Sequence, residues 1–262
     1  MAALAHAFAP EPDDDPPPSG SSLLEHLEEL RTRLVRACLA IAIGTGIAFL
    51  FIDRIVMFVF APTRAALARG GHGTSLIYTA PGEAFALYVN IALIAGATLA
   101  SPYILLQVWR FLAPALYANE KKLVIPFVLM SSAGVVLGWL FSHYIVFPYM
   151  IAFFDTFSSA DLEFRPRVAD AFDLYVKMLA GMVLVFQMPT AVFFLAKMRM
   201  VTARFLARNI KYAILIIFIA AAVLTPSSDP WNQLVFAAPM VVLYLISIGI
   251  AWLAAPRHPS NA

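Results

Sequence analysis

Between Arg36 and Asp53 the chain carries 16 residues without a charge. Five more such runs follow: 26 between Glu83 and Arg110, 32 between Lys122 and Asp155, 19 between Lys177 and Lys197, 17 between Lys211 and Asp229, and 27 between Asp229 and Arg257. A helix needs about 20 mostly apolar residues to cross the hydrocarbon of a bilayer. The pattern therefore predicts six spanning helices. The first run reaches that length if Arg36 extends its charge to the surface. The third exceeds it, and so must tilt or protrude. The fifth is short and Pro226 shortens it further, while Pro230 and Pro239 predict a short or kinked sixth. The last two are expected to cross a thinned bilayer.

Between the first and second spans, RIVMFVFAPTRAAL (residues 54–67) is amphipathic, and a Gly-Gly-His-Gly follows. This predicts a short helix lying on the membrane face. The region divides into a polar tail over residues 1–20, a six-helix domain over 21–256 and a short tail over 257–262. The first tail holds EPDDDPPPSG with no lysine or arginine, so it lacks the positive region of a secretory signal and reads as disordered.

Six spans place both termini on one side. That side then holds twelve cations: Arg31, Arg33, Arg36, Arg110, Lys121, Lys122, Lys197, Arg199, Arg204, Arg208, Lys211 and Arg257. The other holds five: Arg54, Arg64, Arg69, Arg165 and Arg167, with Lys177 at the edge of a span. Lysine and arginine collect in cytoplasmic loops, so both termini are expected in the cytoplasm.

Composition agrees: 61% of the 262 residues are hydrophobic and 13% are charged. The net charge of +2 says little about partners, and nothing suggests nucleic acid. The single cysteine, Cys38, excludes an internal disulfide and reads as small apolar packing. The five histidines form no metal-ligand spacing, and no G-x-S-x-G, P-loop or GxGxxG occurs. An intramembrane enzyme would need a nucleophile–base pair, and none is found. A small-solute transporter or channel is the alternative class, although no internal repeat supports it.

Four places carry candidate chemistry. The stretch Glu25–Arg36, EHLEELRTRLVR, sets Glu25, Glu29 and Arg33 on one helical face, with Ser22 as a capping-box start. The inner loop FLAPALYANEKK offers Glu120 beside two lysines. Facing carboxylates would suit a guanidinium, whose planar fork donates two parallel hydrogen bonds. In LTPSSDPWNQ, Asp229 is expected to cap a helix starting near Pro230. Gln187, in VFQMPT, falls near mid-bilayer, about 15 Å along a helix from Lys177. Pro189 there leaves the Val185 carbonyl without its helical donor. His143 and the Gly134/Gly138 pair in the third span read as helix packing.

In order, HLEELRTRL, SPYILLQVWRFLAPALYANEKK, VFPYMIAFF, FQMP and LTPSSDPWNQLVFAAPM resemble the TatC family over residues 22–254. TatC is the multi-spanning receptor subunit of the twin-arginine protein translocase. The resemblance implies six helices in a concave, cup-like scaffold, cytoplasmic termini, and short fifth and sixth helices. It implies a non-enzymatic protein of the bacterial cytoplasmic membrane, without cofactor or metal. Its ligands would be the twin-arginine signals of folded export substrates. Its partners would be TatB-like and TatA-like single-span subunits and further copies of itself, with transport driven by the proton-motive force. By position, the resemblance assigns signal-peptide binding to Glu29, Glu120 and Phe111. It assigns translocation or assembly to Pro62, Gln187, Asp229 and Gln233. Many relatives have glutamate where this chain has Gln187.

Overall fold

The computed structural model describes residues 19–69, 75–112, 124–159, 164–225 and 229–254. Helix α1 (Ser19–Leu50) is the first span, and two short helices follow, α2 (Ile52–Val59) and α3 (Ala61–Arg69). Thus the amphipathic stretch does form helix, in two pieces. The second span is α4 (Glu83–Leu112). The third combines α5 (Val124–Phe141), a π-helical turn (Ser142–Val146) and α6 (Phe147–Asp155). The fourth is α7 (Val168–Val185) followed by α8 (Met188–Lys197). Short α9 (Ala203–Arg208) leads into α10 (Ile210–Leu224), and α11 (Pro230–Ala254) ends the described chain. Five of the helical stretches are long and apolar enough to cross a membrane, and α10 is a shorter apolar sixth. Extended pairing among the described residues is a single parallel bridge between Ile77 and Arg167.

Three expectations are corrected. Helix α1 starts at Ser19, so Ser22 lies inside its first turn and is not its cap. The sixth helix is not short: α11 has 25 residues, about 37 Å of rise, while α10 has only 15, about 22 Å. Pro230 occupies the first helical position, where a missing N–H costs nothing, and Pro239 is accommodated without ending the helix. The third span does exceed the bilayer, at 31 residues and about 46 Å. Its last helix, α6, packs on α3.

Helices α1 and α4 run antiparallel and meet where Gly44 faces Gly96; a Cβ on Gly44 would lie 2.5 Å from the Gly96 carbonyl oxygen. Gly134 and Gly138 serve α5 in the same way against the fourth span, as a packing motif should. A Cβ on Gly138 would sit 2.8 Å from the Val183 Cα. The core gathers around Phe147, Met150, Tyr175, Met178, Met182 and Phe236, all buried. Leu39, Ile43, Leu215, Ile219 and Trp252 remain exposed, as lipid-facing side chains are. His143 is 1% exposed, stacked on Phe58 with centroids 4.0 Å apart, and its Nδ1 lies 3.1 Å from the Tyr175 hydroxyl. It is a packing histidine, held at the π-helical turn.

Candidate functional site

The inner rim is built by the start of α1 and the end of α4. From the Gly44–Gly96 contact, Glu29 and Phe111 each lie 15 residues toward the same end of an antiparallel pair, about 22 Å along each axis. The two residues therefore reach the same level. The Glu29 carboxylate holds a guanidinium already, that of Arg33 one turn on, through Nε at 3.0 Å and a closer Nη2 contact. This is the i, i+4 pairing expected of the face. The Glu29 side chain keeps 32% of its exposure. Beside it lies an open depression of about 300 Å³ lined by Glu28, Glu29, Thr32, Arg33 and Arg36. Two acids and two arginines leave that depression without net charge. Phe111 is half-buried. Glu120, the other expected carboxylate, lies outside the described residues.

What fixes the end of α4 is an aromatic cluster that sequence reasoning missed. Trp109 is fully buried, with its ring 4.5 Å from Phe127 and 4.8 Å, edge-on, from Phe194. It ties α4 to α5 and α8. Among the described residues, its Nε1 and the buried amide of Gln107 have no hydrogen-bond partner. Only the position of both residues inside the QVWR motif gave a signal.

The fourth span breaks partway along its length. Phe186 and Gln187 form the turn between α7 and α8, with Pro189 in the first turn of α8. Gln187 Nε2 donates to the Ser131 carbonyl of α5 at 3.0 Å. The bond is possible because Gly134 admits the break: a Cβ there would lie 2.8 Å from the Phe186 oxygen and 3.2 Å from Gln187 Nε2. Gln187 thus bonds helix to helix and is not a free polar group.

The outer rim carries the remaining candidates. Asp229 accepts the Asn232 backbone N–H at 3.0 Å, which makes it the N-cap of α11, as expected. Gln233 Nε2 donates to the Phe218 carbonyl at 2.8 Å and joins α11 to α10. Pro62 is half-buried in the first turn of α3, next to the fully buried Thr63. A residue not singled out in the sequence, Glu83, accepts from the backbone N–H groups of Thr79 (3.0 Å), Ala80 (3.2 Å) and Ala169 (3.2 Å). Arg167 adds an ion pair at 3.4 Å. One carboxylate thereby ties the turn that leads into α4, in whose first turn it stands, to the start of α7, whose second residue is Ala169. Inner rim, helix break and outer rim are three separate places.

The sequence profile of the family described as "Sec-independent protein translocase protein (TatC)" matches residues 25–239. A protein of that name from Koribacter versatilis is 41% identical over 244 residues, covering 92% of this chain and 88% of the relative. Another from Desulforapulum autotrophicum is 40% identical over 228 residues, covering 87% and 83%. Among solved structures, "Crystal Structure of Twin Arginine Translocase Receptor- TatC" superposes with a TM-score of 0.72 at 35% identity, over 87% of this chain and 99% of that one. A second structure of that receptor, in DDM, gives 0.73 at 33% identity. Matched in profile, in sequence and in fold over most of its length, this six-span membrane protein belongs to the TatC family of Sec-independent protein translocase proteins.

Proposed function

We propose that the chain receives twin-arginine signal peptides at the inner rim, with Glu29 and Phe111 in contact with the signal and Glu120 as the second carboxylate. The observation that carries this reading is the α1–α4 register, which brings Glu29 and Phe111 to one level at the end rich in cations. That Glu29 already binds a guanidinium supports it further. An incoming arginine has to displace Arg33. A solvated i, i+4 pair of this kind is worth only about 0.3–0.5 kcal/mol, so the exchange costs roughly a factor of two. A charge-assisted bond to a ligand arginine contributes about 1.5–3 kcal/mol.

In this reading both termini are cytoplasmic, on the twelve-to-five distribution of cations. Pro62, Asp229, Gln233 and Gln187 act after docking, in assembly with TatB-like and TatA-like single-span subunits and with further copies of the chain. The proton-motive force drives the transport of the folded cargo. Family membership leaves the solute transporter without support.

The test is photo-crosslinking of an Arg-Arg signal peptide to probes at residues 29 and 120, with a Lys-Lys peptide as control. Glu29→Ala should weaken Arg-Arg binding about 10–100-fold, whereas Arg33→Gln should change it by no more than about twofold. Equal losses for the Arg-Arg and Lys-Lys peptides would mean that Glu29 shapes the helix and does not read the signal.

A further inference from the structure

A second cavity lies apart from the inner rim, between α2, α4, α5 and α7. Its volume is about 570 Å³, within the range of roughly 300–1,000 Å³ for ligand sites. Its walls include Phe58, Ala95, Leu99, Trp139 and Phe172. Of its polar groups, the Thr98 hydroxyl is engaged by the Ile94 carbonyl at 2.8 Å and the Tyr175 hydroxyl by His143. One charged residue lines it, Arg54, in the first turn of α2. Arg54 is exposed, and among the described residues no carboxylate or carbonyl holds its guanidinium. Asp53, its neighbour, does not line the cavity.

The lining selects the occupant. Along α4 the cavity runs from Ile91 to Leu99, eight residues, or about 12 Å. An acyl chain fills apolar space of that length without asking the wall for a hydrogen bond. The wall is apolar, and its one charged group is the Arg54 guanidinium, in the first turn of the amphipathic helix α2. Arginine binds phosphate through two parallel hydrogen bonds.

We infer that this cavity holds one acyl chain of an anionic phospholipid, drawn from the leaflet on the α2–α3 side, with its phosphate on Arg54. The site is independent of the inner rim. Bound there, the lipid fills the space between the amphipathic helix and the second, third and fourth spans. It thereby fastens α2 against the bundle.

The experiment is native mass spectrometry of the full chain in detergent, with dioleoyl-phosphatidylglycerol or dioleoyl-phosphatidylcholine added. One phosphatidylglycerol should be retained about tenfold more tightly than phosphatidylcholine, and Arg54→Gln should abolish that preference. Ala95→Phe, which fills the half-exposed wall, should remove the retained lipid of either kind. Signal-peptide binding should be unchanged by Arg54→Gln, so failure at this site is distinguishable from failure of the inner-rim reading. Equal retention of the two lipids by the native chain would overturn the inference, as would a retained peptide at the site in place of lipid. Should Ala95→Phe not fold, acyl-brominated phosphatidylglycerol decides in a chain whose exposed Trp231 and Trp252 are replaced by phenylalanine: it must quench the remaining tryptophan fluorescence, and adding Trp139→Phe must remove that quenching. Quenching that persists in Trp139→Phe refutes occupancy.

Discussion

Gln187→Leu separates a packing residue from a working one. The substitution removes one hydrogen bond, from Nε2 to the Ser131 carbonyl at 3.0 Å. Ser131 lies within α5, so its carbonyl keeps a helical donor and is not left bare. The cost is therefore that of one interhelical bond in a membrane, about 0.6 kcal/mol on average and about 1.7 at most. Leucine occupies much the same volume, and Gly134 still admits the break. A domain of this size loses about 2–4 °C of melting temperature per kcal/mol, so a shift of roughly 1–3 °C is expected. Against a stability of about 5–15 kcal/mol this leaves the population folded. If Gln187 works in translocation, export of a twin-arginine substrate should nevertheless fall to a small fraction of native, while signal-peptide binding is kept. Gln187→Glu should keep export, because a protonated carboxyl can still donate to the Ser131 carbonyl. The assay is export in cells paired with a thermal-shift measurement on the same variant in detergent. Normal export by Gln187→Leu, with the small thermal shift, would refute the reasoning and remove Gln187 from the mechanism. Export lost only in proportion to a large fall in melting temperature would assign it to packing.

Further expectations follow from the same geometry. Gly138→Ala pushes a Cβ to 2.8 Å from the Val183 Cα, which is backbone and cannot turn aside, so a loss of about 1–3 kcal/mol should appear in the melting temperature. Gly181→Ala meets only the movable Leu224 side chain and should cost clearly less. Asp229→Ala removes the N-cap of α11 for about 1 kcal/mol, and an export defect out of proportion to that loss would separate its proposed assembly role from capping. Glu83→Ala should lower the melting temperature and speed amide exchange at Thr79, Ala80 and Ala169 together. A cysteine at Ser75, in a Cys38→Ser background, should react with an impermeant reagent from outside, and a reporter after Ala262 should stay inside; the opposite pattern would invert the topology.

Much of this was legible in the chain. The uncharged runs mark the spans because a bilayer punishes charge at every position of a crossing helix. The Gly134/Gly138 pair was readable because close packing needs two small residues on one face. Asp229 as a cap followed from the proline after it. The helix break was half visible, since Pro189 signals it but the Ser131 bond depends on a helix 56 residues away. Ser22 misled because the helix continues in the serines and glycine before it. Pro230 and Pro239 misled because proline at a first helical position, or inside a long apolar helix, does not shorten it. Trp109 was hidden for another reason: an aromatic in a membrane sequence has no local mark that separates lipid-facing from buried. The α1–α4 level of Glu29 and Phe111 needed the Gly44–Gly96 contact, which no local pattern discloses.

Glu83 gives the bundle a mechanical polarity. One carboxylate clasps the outer beginnings of the second and fourth spans, so these two helices share a pivot. Their opposite ends have no such clasp among the described residues: one is steadied by the Trp109 rings, the other by the same rings through Phe194 on α8. Ring contacts slide where directed hydrogen bonds do not. The fourth span, moreover, has a joint at Gln187, between pivot and free end. Levers hinged at one end magnify motion at the other, so any flexing of this scaffold should be small at the outer rim and large at the inner one.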